Sequence, residues 1–199
     1  MRIILGSSSP RRKDLLKQII DTIDIYSPEI DESFIKEETP VNYSERISKE
    51  KAKNIIPYIS SSGRPTLLIT CDTIVTIDNI IIGKPAGYND AVNIFNRLNG
   101  RTHEVISSIT LIYKGINYSK KTESQKTQIT FKNLNDGMIK DYLYRIDFMD
   151  KAGGYAIQEH GDIIIKRVMG SITNVIGFPL TLFFKMLSEM DLLDKIFIK

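Results

Sequence analysis

The chain has 199 residues, with 27 Lys and Arg against 24 Asp and Glu, a formal net charge of +3, one cysteine and no tryptophan. Hydrophobic residues at 42% and charged residues at 26% describe a chain able to bury a real core, which excludes general disorder. A lone cysteine excludes an internal disulfide framework and fits a reducing compartment, the net charge is too small to argue for nucleic acid, and the longest apolar runs fall well short of the roughly 20 residues that span a bilayer.

Strand and helix signals alternate along the chain. The opening MRIILGSSSPRRKD has only about three apolar residues after its first base, too few for the roughly 7–15 of a secretory segment. Arg2–Leu5 reads as a short strand running into Gly6-Ser7-Ser8-Ser9-Pro10, where Ser9 is placed to cap a helix and Pro10 to open it. Leu15, Leu16, Ile19 and Ile20 form one face of that helix. Thr39-Pro40 repeats the start signal for a second helix, with Val41, Ile47, Ala52, Ile55 and Ile56 at amphipathic spacing. Ser60-Ser61-Ser62-Gly63 is the nearest thing to a linker and reads as a polar loop.

Thr66–Ile77 is expected to be a buried strand, with Asp78-Asn79 as a hairpin turn into Ile80–Ile82. Asp90–Leu98 reads as a third helix closed by Asn99-Gly100. His103–Tyr113 and Asn117–Phe131 follow as two long strands, then a helix over Asp136–Arg145 and short strands at Tyr155–Gln158 and Ile163–Val168. Pro179 opens a last helix reaching Met190, with Leu180, Phe183, Phe184 and Leu187 on its buried face. Hairpins mixed with crossovers predict an α/β protein with a mixed sheet, organised as one domain over residues 1–199.

Three places carry residues with chemistry to offer. In Ser7-Ser8-Ser9-Pro10-Arg11-Arg12, hydroxyls and free backbone N–H groups meet at a strand-to-helix junction that favours an anion. Two arginines there oppose the helix dipole, which makes sense if a phosphate-bearing ligand is present; a solvated basic N-terminus is the plainer alternative. Asp72 lies inside an apolar β-branched run, where a carboxylate is costly unless it is paired or binds a metal. It is therefore either a general base or metal ligand at a cleft, or a structural acid. Cys71 alternates to the other face of that strand and reads as a small core residue. Lys51, Lys84 and Glu32 would each pass alone for surface charge, and gain interest only if they converge with Asp72, since two carboxylates suit Mg²⁺. No Gly-rich dinucleotide or P-loop signature is present, and the two histidines show no metal-ligand spacing. The basic and aromatic residues of Lys140–Phe148 read as an exposed helix and not as a stacking platform.

Taken in order, these segments resemble the Maf family of nucleoside triphosphate pyrophosphatases. The likeness runs through Ile3–Arg12, Glu50-Lys51-Ala52, Cys71–Val75, Gly83-Lys84-Pro85, Leu98-Asn99-Gly100, His103-Glu104-Val105, Asp150–Gln158, Gly170-Ser171 and Asn174–Leu180. It implies a mixed twisted sheet with flanking helices in two lobes around a central cleft, and hydrolysis of a nucleoside triphosphate between the α and β phosphates. By that likeness Asp72 accepts the proton of the attacking water, while Ser7, Ser9, Arg12, Lys51 and Lys84 surround the phosphates. Glu32 and Asp72 would hold a divalent cation, Mg²⁺ or Mn²⁺. Arg11, Thr73 and Gln158 match the branch acting on dTTP and UTP, and a glutamine amide can read a pyrimidine edge. Gly6 stands where the family has alanine, an exchange expected to be tolerated in a tight turn, and Glu159 stands where it has glycine, beside the expected base pocket.

The resemblance further implies a cytoplasmic protein without membrane or nucleic-acid partners, in a family where homodimers are common. An alternative from a different class is a nucleotide-binding regulator of septum formation whose hydrolysis is incidental.

Overall fold

The twelve-residue run Thr66–Ile77 becomes the strand about which everything else is placed. A computed structural model describes residues 1–59 and 63–197, so Ser60-Ser61-Ser62 lies outside the described residues. Strands β1 (Arg2–Gly6), β2 (Asp24–Tyr26), β3 (Thr66–Ile77), β4 (Ile80–Ile82), β5 (Thr102–Lys114), β6 (Tyr118–Phe131) and β7 (Ile165–Met169) form one mixed sheet in the order β2-β1-β3-β5-β6-β7, with β4 added to β3. β1 runs parallel to β3 and to β2, whereas β3–β5, β5–β6 and β6–β7 are antiparallel. The expected mixed α/β sheet with flanking helices is what the chain forms.

One edge of β3 is shared by two short strands. β1 covers it from Thr66 to Thr70, and β4 covers it from Val75 to Ile77. Among the described residues, the stretch Cys71–Ile74 between them has no strand neighbour on that side, and the sheet opens there. The Asp78-Asn79 turn that brings β4 back has positive φ at both residues (53° and 60°), the geometry of a two-residue hairpin matching the sheet twist.

Period-two alternation sends the two faces of β3 to different partners. Leu67, Ile69 and Cys71 pack in a core with Leu15, Leu16, Phe178, Phe183 and Leu187, from helices α1 (Pro10–Lys17) and α7 (Leu180–Glu189) and the approach to α7. Further along the same face, Val75 and Ile77 join a separate core with Phe95 of α3 (Tyr88–Leu98) and Tyr142 of α4 (Asp136–Arg145). The opposite face is covered by α2 (Pro40–Ile59): Ala52, Ile55 and Ile59 meet Leu68, and Tyr43 and Ile47 meet Ile74. The open edge of β3 falls at the junction of these cores. Among the described residues no helix is long and apolar enough to cross a membrane.

Several local expectations differ from the structure. Ser9 occupies the N-cap position of α1, yet its hydroxyl makes no capping bond; Ser7 Oγ instead accepts from the Ser9 amide at 3.2 Å. Tyr155–Gln158 is not a strand, because Ala152–Gly154 forms a 3₁₀ turn with positive φ at two glycines and a turn follows through His160. Ile163 and Ile164 belong to the short helix α5 (Gly161–Ile164), with β7 beginning at Ile165. The final helix buries Leu182 and Met186 alongside Phe183 and Leu187, while Leu180 and Phe184 are only half-buried. After it comes α8 (Leu193–Phe197), and before it α6 (Ile172–Ile176). Gly6 does not serve a turn: it ends β1, and a Cβ there would stand 2.4 Å from Ile55 Cδ1 and 2.7 Å from Thr70 Cγ2. The bulk of Ile55 fills the space.

Candidate active site

The gap in the sheet edge is the floor of a cleft of about 200 Å³, and every residue singled out from the sequence lines it: Ser7, Ser9, Arg11, Arg12, Glu32, Lys51, Asp72, Thr73, Lys84 and Gln158. Asp72 and Thr73 are consecutive on β3 and so point to opposite faces, which gives the cleft two chemically distinct sides.

On the α2 side, the helix presents Ser44, Ser48 and Lys51 to β3 at i, i+4 and i+7, a polar stripe inside an otherwise apolar face. Ser44 and Ser48 donate to the Asp72 and Thr70 carbonyls, at 3.4 and 3.3 Å. One turn on, Lys51 Nζ lies 2.9 Å from Asp72 Oδ1 and 2.8 Å from Glu32 Oε1. Asp72 is 6% exposed and Lys51 8%, so this lysine is no surface charge. Asp72 Oδ2 is buried without a hydrogen-bond partner. Glu32 sits on the segment between β2 and α2, which α2 holds down: the Tyr43 hydroxyl donates to the Glu32 carbonyl at 2.8 Å, and Arg46 donates to the Ser33 carbonyl at 3.0 Å. Burial, with the nearby Asp72 and Glu32 charges adding to it, pushes the Tyr43 phenol up to about 12, so it remains a donor.

On the other side, Arg12 reaches back from α1. Its Nε donates to the Gly177 carbonyl at 2.9 Å, one terminal nitrogen to Ser7 Oγ at 3.2 Å and the other to Thr73 Oγ1 at 3.0 Å. Arg11 and Lys84 converge on Asp150 at the mouth: Lys84 Nζ is 2.7 Å from Asp150 Oδ1, and Arg11 donates to the Asp150 carbonyl at 3.0 Å. The Lys84 hydrogen bond, with smaller help from Arg11 and Lys151, holds the Asp150 carboxyl below the usual carboxylate range. Cys71 is fully buried in the core, and burial pushes its thiol up, which disfavours the nucleophilic thiolate.

Sequence reasoning did not single out Asp150 or Lys151 as cleft residues, although both lie in a quoted motif. Lys151 is 6% exposed and lines the cleft, with Glu159 3.4 Å away. Glu159 is thereby turned to Lys151 and does not line the cleft beside Gln158. Tyr155 also lines the cleft, its hydroxyl 2.7 Å from buried His103 Nε2. A buried carboxylate inside an apolar run was the readable signal for Asp72; Asp150 follows Met149 in a polar turn and gives no such contrast.

The fold and site define a class: mixed-sheet α/β proteins whose central strand carries a buried acid in an open edge, flanked by arginines and lysines. The model of the family described as Maf-like protein matches residues 2–190, and the chain belongs to that family. Proteins named dTTP/UTP pyrophosphatase are similar to it along nearly their whole length: 38% identical in Clostridium beijerinckii over 96% of this chain and 100% of the relative, and 36% in Thermosipho africanus over 98% and 96%. The one from Pyrococcus furiosus is 34% identical over 98% of this chain and 99% of its own. Among solved structures, a HAM1 protein from Coxiella burnetii shares the fold with a TM-score of 0.52 at 15% identity, covering 95% of this chain and 99% of that one. The Ham1 protein of Staphylococcus aureus does so with a TM-score of 0.50 at 12% identity, covering 96% and 100%.

Proposed function

We propose that this chain is a nucleoside triphosphate pyrophosphatase, a hydrolase that cuts dTTP and UTP between the α and β phosphates to the monophosphate and pyrophosphate. The observation that carries the reading is Asp72: a buried carboxylate with one oxygen on Lys51 and the other unpartnered, in a sheet opening lined by cations. The names of the relatives support the same activity and do not favour the regulatory alternative.

In this reading Asp72 takes the proton from the attacking water, and Lys51 holds the carboxylate aimed. Ser7, Ser9, Arg12, Lys51 and Lys84 receive the phosphates, where fixed donors neutralise charge that grows in the transition state. Three donors of the Arg12 guanidinium are already engaged, which leaves one N–H on each terminal nitrogen for bidentate contact with phosphate oxygens. Arg11, Thr73 and Gln158 set the preference for a pyrimidine base. Lys84, paired at the exposed mouth of the cleft with Asp150, exchanges that partner for phosphate oxygens as a triphosphate enters.

A divalent cation fits the donor set. Glu32 and Asp72 lie on either side of Lys51 Nζ, each with one oxygen on it, and Asp72 Oδ2 has lone pairs free for a cation. Among the described residues no cluster of three or more His, Cys, Asp or Glu could hold a metal alone, which suits Mg²⁺ or Mn²⁺ shared with substrate phosphates. When bound, the ion supplies charge neutralisation at the phosphate oxygens. A single domain over residues 1–199, a homodimeric assembly, a cytoplasmic location and the absence of nucleic-acid partners belong to the same proposal.

Incubating the protein with a nucleotide panel and Mg²⁺ or Mn²⁺, with product identification, tests it. dTTP and UTP should give monophosphate and pyrophosphate in preference to purine triphosphates. Release of orthophosphate and a diphosphate, or no turnover with either metal, would overturn it.

A further inference from the structure

We infer that Ser107, which has no direct place in the chemistry above, is a positioning residue that fixes Arg12 through a buried chain of hydroxyls; this rests on the reading of Arg12 as a phosphate contact. Ser107 stands opposite Thr73 in the β3–β5 ladder and is fully buried. Its Oγ lies 2.9 Å from Thr73 Oγ1 and donates to the Asn174 carbonyl at 3.3 Å. A guanidinium can only donate, so Thr73 Oγ1 accepts from Arg12. With the Ser107 proton on Asn174, the single Thr73 proton is shared between Ser107 Oγ and the Gly177 carbonyl, at 2.9 and 3.1 Å, so Arg12, Thr73, Ser107 and Asn174 form one connected network. Bonds connected in this way polarise one another in a buried setting.

The far end of the chain is anchored. The Asn174 side chain donates to the Val105 carbonyl at 3.1 Å and to Thr127 Oγ1 at 2.9 Å, tying α6 to β5 and β6. Gly177, immediately after α6, supplies the carbonyl that accepts from Arg12 Nε and, at 3.1 Å, from the Thr73 hydroxyl. Arg12 is thus braced by both ends of one pinned helical turn, and Ser107 is the link that also braces Thr73.

Steady-state kinetics with dTTP, and ¹⁵N relaxation of the Arg12 Nε–H group in the ligand-free protein, read this out. Ser107→Ala should raise KM about five- to tenfold with kcat within about twofold, and should loosen Arg12; Ser107→Thr should restore both. In an Arg12→Lys background Ser107→Ala should add no further rise. Unchanged Arg12 order in Ser107→Ala, or a full additional KM penalty in the Arg12→Lys background, would overturn the inference. Absent turnover by the wild-type chain together with a loosened Arg12 would strike the proposed function and leave the brace standing. Should Ser107→Ala not fold, Thr73→Val against Thr73→Ser makes the same comparison one link nearer the arginine.

Discussion

Lys51→Met removes the ammonium from between two carboxylates while keeping the length and apolar stem of the side chain. The Asp72 and Lys51 side chains are 8% and 10% exposed, so Asp72 is left as a buried charge with neither oxygen paired. Deleting one partner of a buried ion pair costs about 3–5 kcal/mol, because the remaining charge is still desolvated. Glu32, whose side chain is 52% exposed, is rehydrated, so its share stays below about 1 kcal/mol. A net loss of about 3 kcal/mol corresponds to a fall in Tm of about 6–12 °C for a chain of this size. Urea and thermal unfolding at neutral pH measure it. Asp72→Asn in the Lys51→Met background should recover most of the loss, since no unpaired charge remains. Near-wild-type stability of Lys51→Met, or an equal loss from Lys51→Met when Asp72 is already Asn, would refute the reasoning.

Burial alone pushes His103 down to about 4. The unfolded chain then binds a proton that the folded chain does not, so on acidification from pH 6.5 to 4 this residue removes up to about 3 kcal/mol of stability. Melting curves across that range should therefore be flatter for His103→Phe than for the wild type, and parallel curves would contradict the assignment. Lys84→Met should raise the Asp150 titration toward its ordinary range in carboxyl ¹³C NMR, as should a non-hydrolysable triphosphate that draws Lys84 away; an unmoved Asp150 in the variant contradicts the pairing. Gly6→Ala should destabilise by about 1–3 kcal/mol through overpacking against Ile55 and Thr70. Adding Ile55→Val should recover part of that in urea unfolding, and no recovery would mean that backbone geometry, and not Ile55, reserves the space.

Much of this architecture is written in local patterns. The Thr66–Ile77 run, the Asp78-Asn79 turn and the Thr39-Pro40 helix start are each decided within a few residues, and each forms as expected. What escaped the sequence depends on contacts made far along the chain. β2 is three residues long and exists because it pairs with β1, with Arg2 bonded to Asp24. Tyr155–Gln158 has strand-forming residues, but the Gly153-Gly154 turn before it sends the segment into the cleft wall. At the site, Asp72 was legible because an acid in an apolar strand is costly. Lys51 was legible only by resemblance, since its burial follows from α2 lying across β3. Asp150 and Ser107 gave no signal, one in a polar turn and one as a small residue in a strand, and their partners lie 66 and 67 positions away in the chain.

The most direct test of the central claim is the turnover of Asp72→Asn with saturating dTTP and Mg²⁺. If Asp72 takes the proton from water, kcat should fall about 10²–10⁴-fold while KM changes far less, because Ser7, Ser9, Arg12 and Lys84 still receive the phosphates. A variant that keeps kcat within a few-fold of the wild type would show that the buried acid is not the base.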